Sequence, residues 1–122
     1  MQVRNQKVLI TGGAGFLGSF LSEEMLRLGA TVTIFDRFSQ GKKRIEHLEG
    51  NPAVKIIEGD LMDYDQLLDA MKGSSWVWHL SSNTDIATGL KDTMIDLRDG
   101  VMATRNVVEA MRQTGVRKLI FP

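Results

Sequence analysis

Three glycines, Gly12, Gly15 and Gly18, recur at a spacing of three residues directly after the apolar run at 8–10. In a strand–turn–helix segment this spacing suits the pyrophosphate of a dinucleotide. The first glycine permits a tight turn, the second lets a phosphate approach the backbone, and the third lets the helix lie close to the sheet. The helix N-terminus then offers unpaired N–H groups to the anion. The same glycines could serve only a turn and close packing, so the rest of the chain decides between the two interpretations.

A carboxylate, Asp36, stands 18 residues after Gly18, at the end of the second apolar run. It can accept hydrogen bonds from both hydroxyls of an adenosine ribose, and it repels a 2′-phosphate. Two unit charges about 4 Å apart near a surface interact by roughly 4 kcal/mol at an effective dielectric constant of about 20. Asp36 therefore favours NAD over NADP. Arg37 can pair with a phosphate and compensate, or stack on adenine. The other interpretation of Asp36 is a plain turn residue.

Polar residues also follow the third and fourth apolar runs of the chain. Asp60 can accept a hydrogen bond from an adenine amino group, with the backbone of Leu61 beside it. An ordinary turn aspartate is the equally weighted alternative. Ser81, Ser82 and Asn83 end the fourth run, and their small or polar side chains can line a cofactor or a substrate.

The other candidates for chemistry are few. His79 is predicted to be a hydrogen-bonded core histidine rather than a catalyst, and Trp76 and Trp78 are predicted to pack under a crossover helix. The chain has two histidines and no cysteine, so the sequence offers no disulfide, thiolate nucleophile or evident metal set. A phosphoryl-transfer P-loop is disfavoured, because Ser19 and Phe20 stand where that motif requires lysine and then serine or threonine.

Alternating strands and helices must position these residues. Apolar and β-branched runs predict five strands, at 7–11, 31–35, 54–58, 76–80 and 117–121. Helical spacing predicts helices at 15–28, at 41–49, at 66–72 with Asp63 as its N-cap, and at 92–114. Apolar strands without polar alternation indicate parallel β-structure covered on both faces. Right-handed crossovers then predict an α/β fold, a doubly wound parallel sheet of order 3-2-1-4-5, with ligands beyond the carboxyl ends of its strands.

Composition narrows the class of protein. At 122 residues and a formal net charge of zero, the chain is predicted to be one domain that does not bind nucleic acid through a basic surface. No apolar run approaches the roughly 18 residues needed to cross a bilayer. The polar residues at 1–7 do not have the pattern expected of a signal peptide. We therefore expect a cytoplasmic protein without a nucleic-acid or membrane partner.

Several segments together resemble the extended short-chain dehydrogenase/reductase family. The branch is that of the NAD-dependent nucleotide-sugar epimerases and dehydratases, of the UDP-glucose 4-epimerase type. The resemblance is carried by Thr-Gly-Gly-Ala-Gly-Phe-Leu-Gly at 11–18, Asp-Arg-Phe-Ser-Gln-Gly at 36–41, Gly-Asp-Leu at 59–61, Val-Trp-His-Leu at 77–80 and Ala-Thr-Arg-Asn-Val-Val-Glu-Ala at 103–110. It implies that residues 1–122 are a Rossmann domain that binds NAD.

The resemblance implies roles at the matching positions. The pyrophosphate would be held by Gly12, Gly15, Phe16, Leu17 and Gly18. The adenosine would be held by Asp36, Arg37, Asp60 and Leu61, and the central part of the cofactor would pass along Leu80, Ser81 and Ser82. The chain departs from the family pattern at Ser81 and Ser82, which often are alanines, and at Gly100, which often is asparagine. These departures leave the sugar substrate undetermined.

A larger departure concerns catalysis. The family transfers protons with a tyrosine and a lysine four residues later, and the lysine lowers the tyrosine pKa. The one tyrosine here is Tyr64, and Leu68 is four residues later. The chain is therefore predicted to be the N-terminal cofactor half of a longer epimerase or dehydratase, truncated after strand 5 and inactive alone. The alternatives are an NAD(P)-sensing regulator without chemistry and an NADPH-dependent reductase of the same superfamily, acting on steroids or flavonoids.

Two apolar surfaces predict self-association into a homo-oligomer. One is the edge of the fifth strand, at 118–121, which a further strand would normally cover. The other is a face of the predicted helix 92–114, formed by Met94, Leu97, Val101, Val108 and Met111.

Overall fold

The computed structural model describes residues 2–82 and 85–122. Five strands form the sheet: β1 (Lys7–Thr11), β2 (Thr31–Asp36), β3 (Val54–Glu58), β4 (Trp76–His79) and β5 (Lys118–Ile120). The helices are α1 (Phe16–Arg27), α2 (Tyr64–Met71), α3 (Ile86–Lys91), α4 (Thr93–Asp96) and α5 (Ala103–Thr114). A 3₁₀ turn spans Glu46–Leu48, and a π-helical turn spans Leu97–Met102 between α4 and α5.

All described strand pairs are parallel, and the sheet order is β3-β2-β1-β4-β5. The predicted α/β fold and strand order are therefore confirmed. Alternate residues of a strand face opposite sides of a sheet. Leu9 of β1 accordingly packs with Phe35 and Val77 in one core cluster, on the side of α2 and α5. Its neighbours Val8 and Ile10 join the second cluster, which includes Met25 of α1.

Turn residues set where the elements end. Asp63 caps α2 as predicted, because its carboxylate accepts a hydrogen bond from the backbone N–H of Gln66. Gly29, Gly73 and Gly115 follow α1, α2 and α5 with φ angles of +90°, +79° and +79°. Glycine adopts this left-handed conformation without strain, so each ends a helix and turns the chain towards the next strand.

The predicted helix at 41–49 is wrong apart from the 3₁₀ turn at Glu46–Leu48. Ile45 and Leu48 are the residues of this segment that reach the core. Side chains three residues apart lie on one side of a 3₁₀ turn, so this short turn suffices to bury both of them.

The predicted helix at 92–114 is divided into α4, the π turn and α5. Met94, Leu97, Val101 and Val108 of its predicted apolar face are exposed, whereas Met111 is buried. The face of α5 that packs against α2 consists mostly of small residues, which hydrophobicity alone does not single out. They are Ala103, Asn106, Val107, Ala110 and Met111. Helix α3 was not predicted, because its six residues are too few for a periodic pattern.

Within 2–82 and 85–122, no helix has the length and apolarity that a membrane crossing requires.

Candidate functional site

A cleft of about 810 Å³ opens at the carboxyl ends of the strands. Loops that follow β1, β2, β3 and β4 form its walls, as expected where the strand order reverses between β1 and β4. The cleft brings together all twelve predicted site residues: Gly12, Gly15, Phe16, Leu17, Gly18, Asp36, Arg37, Asp60, Leu61, Leu80, Ser81 and Ser82. Asn83 lies outside the described residues. The cleft also includes residues that were not predicted as site residues, among them Ser39, Gln40, Arg44, Asp99 and Phe121.

The three glycines of the turn after β1 are required for different reasons. Gly12 has a φ angle of +70°, and a Cβ there would lie 3.0 Å from the backbone nitrogen of Ser81. A Cβ on Gly18 would lie 2.2 Å from the Gly12 carbonyl oxygen, so α1 packs against the turn itself. A Cβ on Gly15 would meet only that same oxygen, at 3.3 Å. Packing thus constrains Gly12 and Gly18 strongly and Gly15 weakly, although all three line the cleft.

Helix α1 begins at the cleft with its N-terminal groups available. Its N-cap residue, Gly15, supplies no side-chain cap, and the first turn contains no acidic residue. The partial positive charge of the helix end is therefore not neutralised from within the first turn. Ser22 and Ser19 direct their hydroxyls back to carbonyls of this helix, so they leave the cleft face free. This end of the cleft can accept an anion.

Asp36 is held in a fixed position at the end of β2. Its Oδ2 accepts a hydrogen bond from the N–H of Ala14, at 3.1 Å, and its Oδ1 accepts one from the N–H of Phe38, at 2.8 Å. Phe38 has a φ angle of +59°, which turns the chain sharply after the strand. The carboxylate therefore joins the glycine turn to the loop after β2. Each oxygen retains an acceptor site for a ligand hydroxyl.

Arg37 forms an ion pair that the sequence did not predict. Its Nη2 lies 3.4 Å from Oδ2 of Asp99, in the π-helical turn, and Oδ1 of Asp99 lies 3.0 Å from Nε of Arg98. The Arg37 side chain is 45% exposed, whereas that of Asp99 is 11% exposed. Asp99 thus lines the cleft and holds the Arg37 guanidinium.

The wall after β3 is built around Asp60 and Leu61. Oδ1 of Asp60 accepts a hydrogen bond from the N–H of Met62, at 2.9 Å. This is the geometry of an ordinary turn aspartate, which was the alternative to a role in adenine binding. The same residue lines the cleft. The carbonyl of Leu61 accepts a hydrogen bond from Nδ2 of Asn106 in α5, at 2.8 Å. Asn106 is buried, so it fixes this wall from behind.

His79 is a buried histidine whose two ring nitrogens both have hydrogen-bond partners, as predicted. Oγ1 of Thr11 accepts from the N–H groups of Leu80 and Ser81, so its own hydrogen goes to Nδ1 of His79, at 2.7 Å. The ring then carries its proton on Nε2, which donates to Oγ1 of Thr104, at 2.9 Å. Burial lowers the pKa of His79 to about 4. The ring is neutral at pH 7 and supports the cleft floor.

The cleft has the features that a dinucleotide requires, and no group of residues in 2–82 and 85–122 could hold a metal ion. The N-terminus of α1 is ready for a pyrophosphate. Beside the glycine turn, which donates the N–H of Ala14 to it, the Asp36 carboxylate is fixed with acceptor sites for a ribose. Because Gly12 and Gly18 have no side chains, the glycine turn can pack closely against α1 and against the backbone of Ser81. The residues present therefore fit a dinucleotide cofactor.

The chain matches the model of the NAD dependent epimerase/dehydratase family over residues 8–122. It is 34% identical over 117 residues to UDP-N-acetyl-alpha-D-glucosaminuronate decarboxylase of Bacillus cytotoxicus, covering 95% of this chain and 36% of that protein. It is also 34% identical over 116 residues to the decarboxylating sterol-4-alpha-carboxylate 3-dehydrogenase of Mus musculus, covering 95% of this chain and 29% of that protein.

A solved structure of UDP-glucose 4-epimerase from Brucella ovis in complex with NAD matches with a TM-score of 0.84 at 25% identity. The match covers 95% of this chain and 35% of that chain. The chain thus spans 36% and 29% of the two curated relatives described above. The resemblance drawn from the glycine turn and the later motifs is confirmed by a family match that runs through every strand of the sheet. The chain belongs to the NAD dependent epimerase/dehydratase family.

Proposed function

We propose that this chain forms the adenosine and pyrophosphate half of the NAD site of an enzyme that acts on nucleotide sugars. The main support is the cleft itself, in which an uncapped helix N-terminus and a carboxylate fixed by the N–H of Ala14 both border the glycine turn. The pyrophosphate would bind the first turn of α1 at Gly15, Phe16, Leu17 and Gly18. The adenosine ribose would donate its hydroxyls to Asp36.

The remaining site residues have roles that follow from their places in the cleft. Adenine would lie against the wall of Asp60 and Leu61, and the central part of the cofactor would pass along Leu80, Ser81 and Ser82. NAD supplies the hydride acceptor of such reactions. This chain's residues bind and orient the cofactor. We expect no turnover by the chain alone, because Tyr64 has no lysine four residues later.

Calorimetric titrations of the chain with NADH and with NADPH test this proposal. We expect NADH to bind at least about tenfold more tightly, because Asp36 repels a 2′-phosphate through partly screened charge. Asp36→Asn should narrow that ratio, since it removes the charge and keeps the size of the side chain. Asp60→Asn is the matched control, because it removes a carboxylate of the same cleft on the adenine side and should leave the ratio unchanged.

Two results would contradict the proposal at different points. Equal affinity for NADH and NADPH in the unmodified chain would refute the role of Asp36. Failure of both to bind at millimolar concentration would refute the cofactor site as a whole.

A second candidate function rests on the similarity to sterol-4-alpha-carboxylate 3-dehydrogenase. In that case the same cofactor site would serve a sterol rather than a nucleotide sugar. The two candidates share NAD chemistry and differ in the substrate. The two candidates are distinguished by assaying turnover of UDP-sugars and of sterol carboxylates through NADH absorbance, in a protein that joins this chain to a catalytic tyrosine and lysine. A regulator without chemistry would bind NADH and turn over neither substrate.

We also infer that the chain self-associates. Leu97, Val101 and Val108 are exposed along the π turn and α5, and Phe121 is exposed beyond the edge strand β5. Exposed apolar side chains on a helix face and beside a free strand edge favour pairing with a second copy. Sedimentation velocity should detect dimers or larger species, and Val101→Glu with Val108→Glu should reduce them. A monomer at all concentrations would contradict this inference.

A further inference from the structure

The mouth of the cleft beside Asp36 contains more charge than a binding site for a ribose needs. Arg37 follows Asp36 directly in sequence and is the first residue after β2. Both residues line the cleft, and the described ion-pair partner of Arg37 is Asp99. Asp99 comes from a segment that lies 62 residues further along the chain.

The ion pair determines what Arg37 can do for a ligand. A 2′-phosphate on the adenosine ribose would stand next to Asp36 and would need a cation to offset that carboxylate. Arg37 is next to Asp36 in the chain, but its guanidinium is engaged by Asp99. To reach a phosphate it would have to leave a carboxylate that is 11% exposed. A phosphate would therefore have to compete with the Asp99 carboxylate for the same guanidinium, whereas Asp99 would keep Arg98 as a partner.

Asp99 has a second cationic partner, and this makes Arg37 separable from it. Nε of Arg98 lies 3.0 Å from Oδ1, whereas Nη2 of Arg37 lies 3.4 Å from Oδ2. The two guanidiniums thus use different oxygens of the same carboxylate. Replacing this carboxylate by an amide of the same shape would remove the negative charge that attracts Arg37, with almost no change in volume.

We propose that Asp99 is a specificity-determining residue: by holding Arg37 in an ion pair, it keeps this guanidinium from compensating a 2′-phosphate and so makes the cleft select NAD. Asp99 acts through Arg37 and is a positioning residue. The inference rests on the proposed NAD site. It adds to that site a residue from the π-helical turn, which the glycine and Asp36 motifs do not include.

The test measures the ratio of the NADPH and NADH dissociation constants in the unmodified chain and in Asp99→Asn. We expect the ratio to fall severalfold, chiefly through tighter NADPH binding, because a partly exposed ion pair at 3.4 Å is weaker than a short charge-assisted hydrogen bond. The same substitution is then made in an Arg37→Gln background. There it should leave the ratio unchanged, because the residue through which Asp99 acts is absent. Arg98→Gln is the matched control and should not lower the ratio.

Each other outcome overturns the inference. An unchanged ratio in Asp99→Asn would show that the ion pair does not limit Arg37. An equal fall in both backgrounds would show that Asp99 repels the phosphate directly, without Arg37. Failure of the unmodified chain to bind either nucleotide would refute the proposed NAD site, and this inference with it. Tight NADH binding with an unchanged ratio would refute this inference alone.

Discussion

A methyl group on Gly18 is the smallest change that tests how the cleft is built. In the structure a Cβ at this position would lie 2.2 Å from the Gly12 carbonyl oxygen, 2.7 Å from the Gly13 Cα and 3.0 Å from the Gly12 carbonyl carbon. All three are backbone atoms. The N–H of Gly12 also donates a hydrogen bond to the carbonyl of Phe35 in β2, which restrains the turn. Non-bonded heavy atoms pack best at about 3.5 Å, so α1 or the turn must move by about 1 Å.

The expected magnitude follows from two opposing effects. Overpacking of this kind costs about 1–3 kcal/mol, and alanine gains about 1 kcal/mol over glycine inside a helix. Because rigid backbone atoms are in the way, we expect the cost to lie near its upper limit, for a net loss of about 2 kcal/mol. The same movement displaces the first turn of α1 from the cleft, so NADH affinity should fall about tenfold or more, a loss of roughly 1.4 kcal/mol in binding.

Gly100→Ala is the matched control for this prediction. Gly100 is also a helical glycine, but a Cβ there would have no neighbour within 4 Å. It should stabilise the chain by about 0.5–1 kcal/mol through helix propensity and should leave NADH affinity unchanged. Urea unfolding and NADH titration of both variants give the comparison. A Gly18→Ala chain as stable as the unmodified one would refute the argument that α1 packs on the turn through this glycine.

Two further predictions concern buried polar residues that support the cleft. Burial lowers the pKa of His79 from 6.5 to about 4, so between these pH values the native state binds fewer protons than the unfolded chain. Up to roughly 3 kcal/mol of the free energy of unfolding that is present above pH 6.5 is therefore lost as the pH falls towards 4. Urea unfolding at pH 7 and pH 4.5 should show this loss of stability in the unmodified chain and in the control His47→Gln, and a much smaller loss in His79→Gln. An equal loss in all three proteins would contradict the assignment of the loss to His79. Asn106→Ala should destabilise the chain by about 1–3 kcal/mol, because the Leu61 carbonyl loses its donor, and Asn106→Asp should cost more by placing a carboxylate against that carbonyl. An Asp variant as stable as the unmodified chain would refute the assignment of Asn106 as the donor.

The sheet and most of the cleft follow from local sequence patterns. Each strand is a short apolar run, and most of the predicted cleft residues are polar or glycine residues that follow those runs. Their meeting at one edge is a property of parallel sheets. For this reason Asp36 and Asp60 are predicted from sequence to meet in the cleft although they follow from different strands, β2 and β3.

The parts that sequence did not predict depend on contacts between distant residues. The ion pair of Arg37 with Asp99 joins residues 62 positions apart, and the sequence around either residue does not indicate that the two side chains meet. The π-helical turn at Leu97–Met102 has the composition of an ordinary helix, so periodicity predicts one continuous helix there. The wall contact between Asn106 and Leu61 likewise spans 45 positions. Each of these is determined by tertiary packing rather than by local propensity.

The hydrogen bond between Thr11 and His79 also constrains the order in which the molecule folds. It joins residues 68 positions apart across the pairing of β1 with β4. Long-range parallel pairing is slow, because the loop entropy is lost before the contacts form. The floor of the cleft therefore exists only when the sheet is nearly complete. A nucleotide that binds this cleft would act late in folding: it would slow unfolding of the finished sheet and leave the folding rate nearly unchanged.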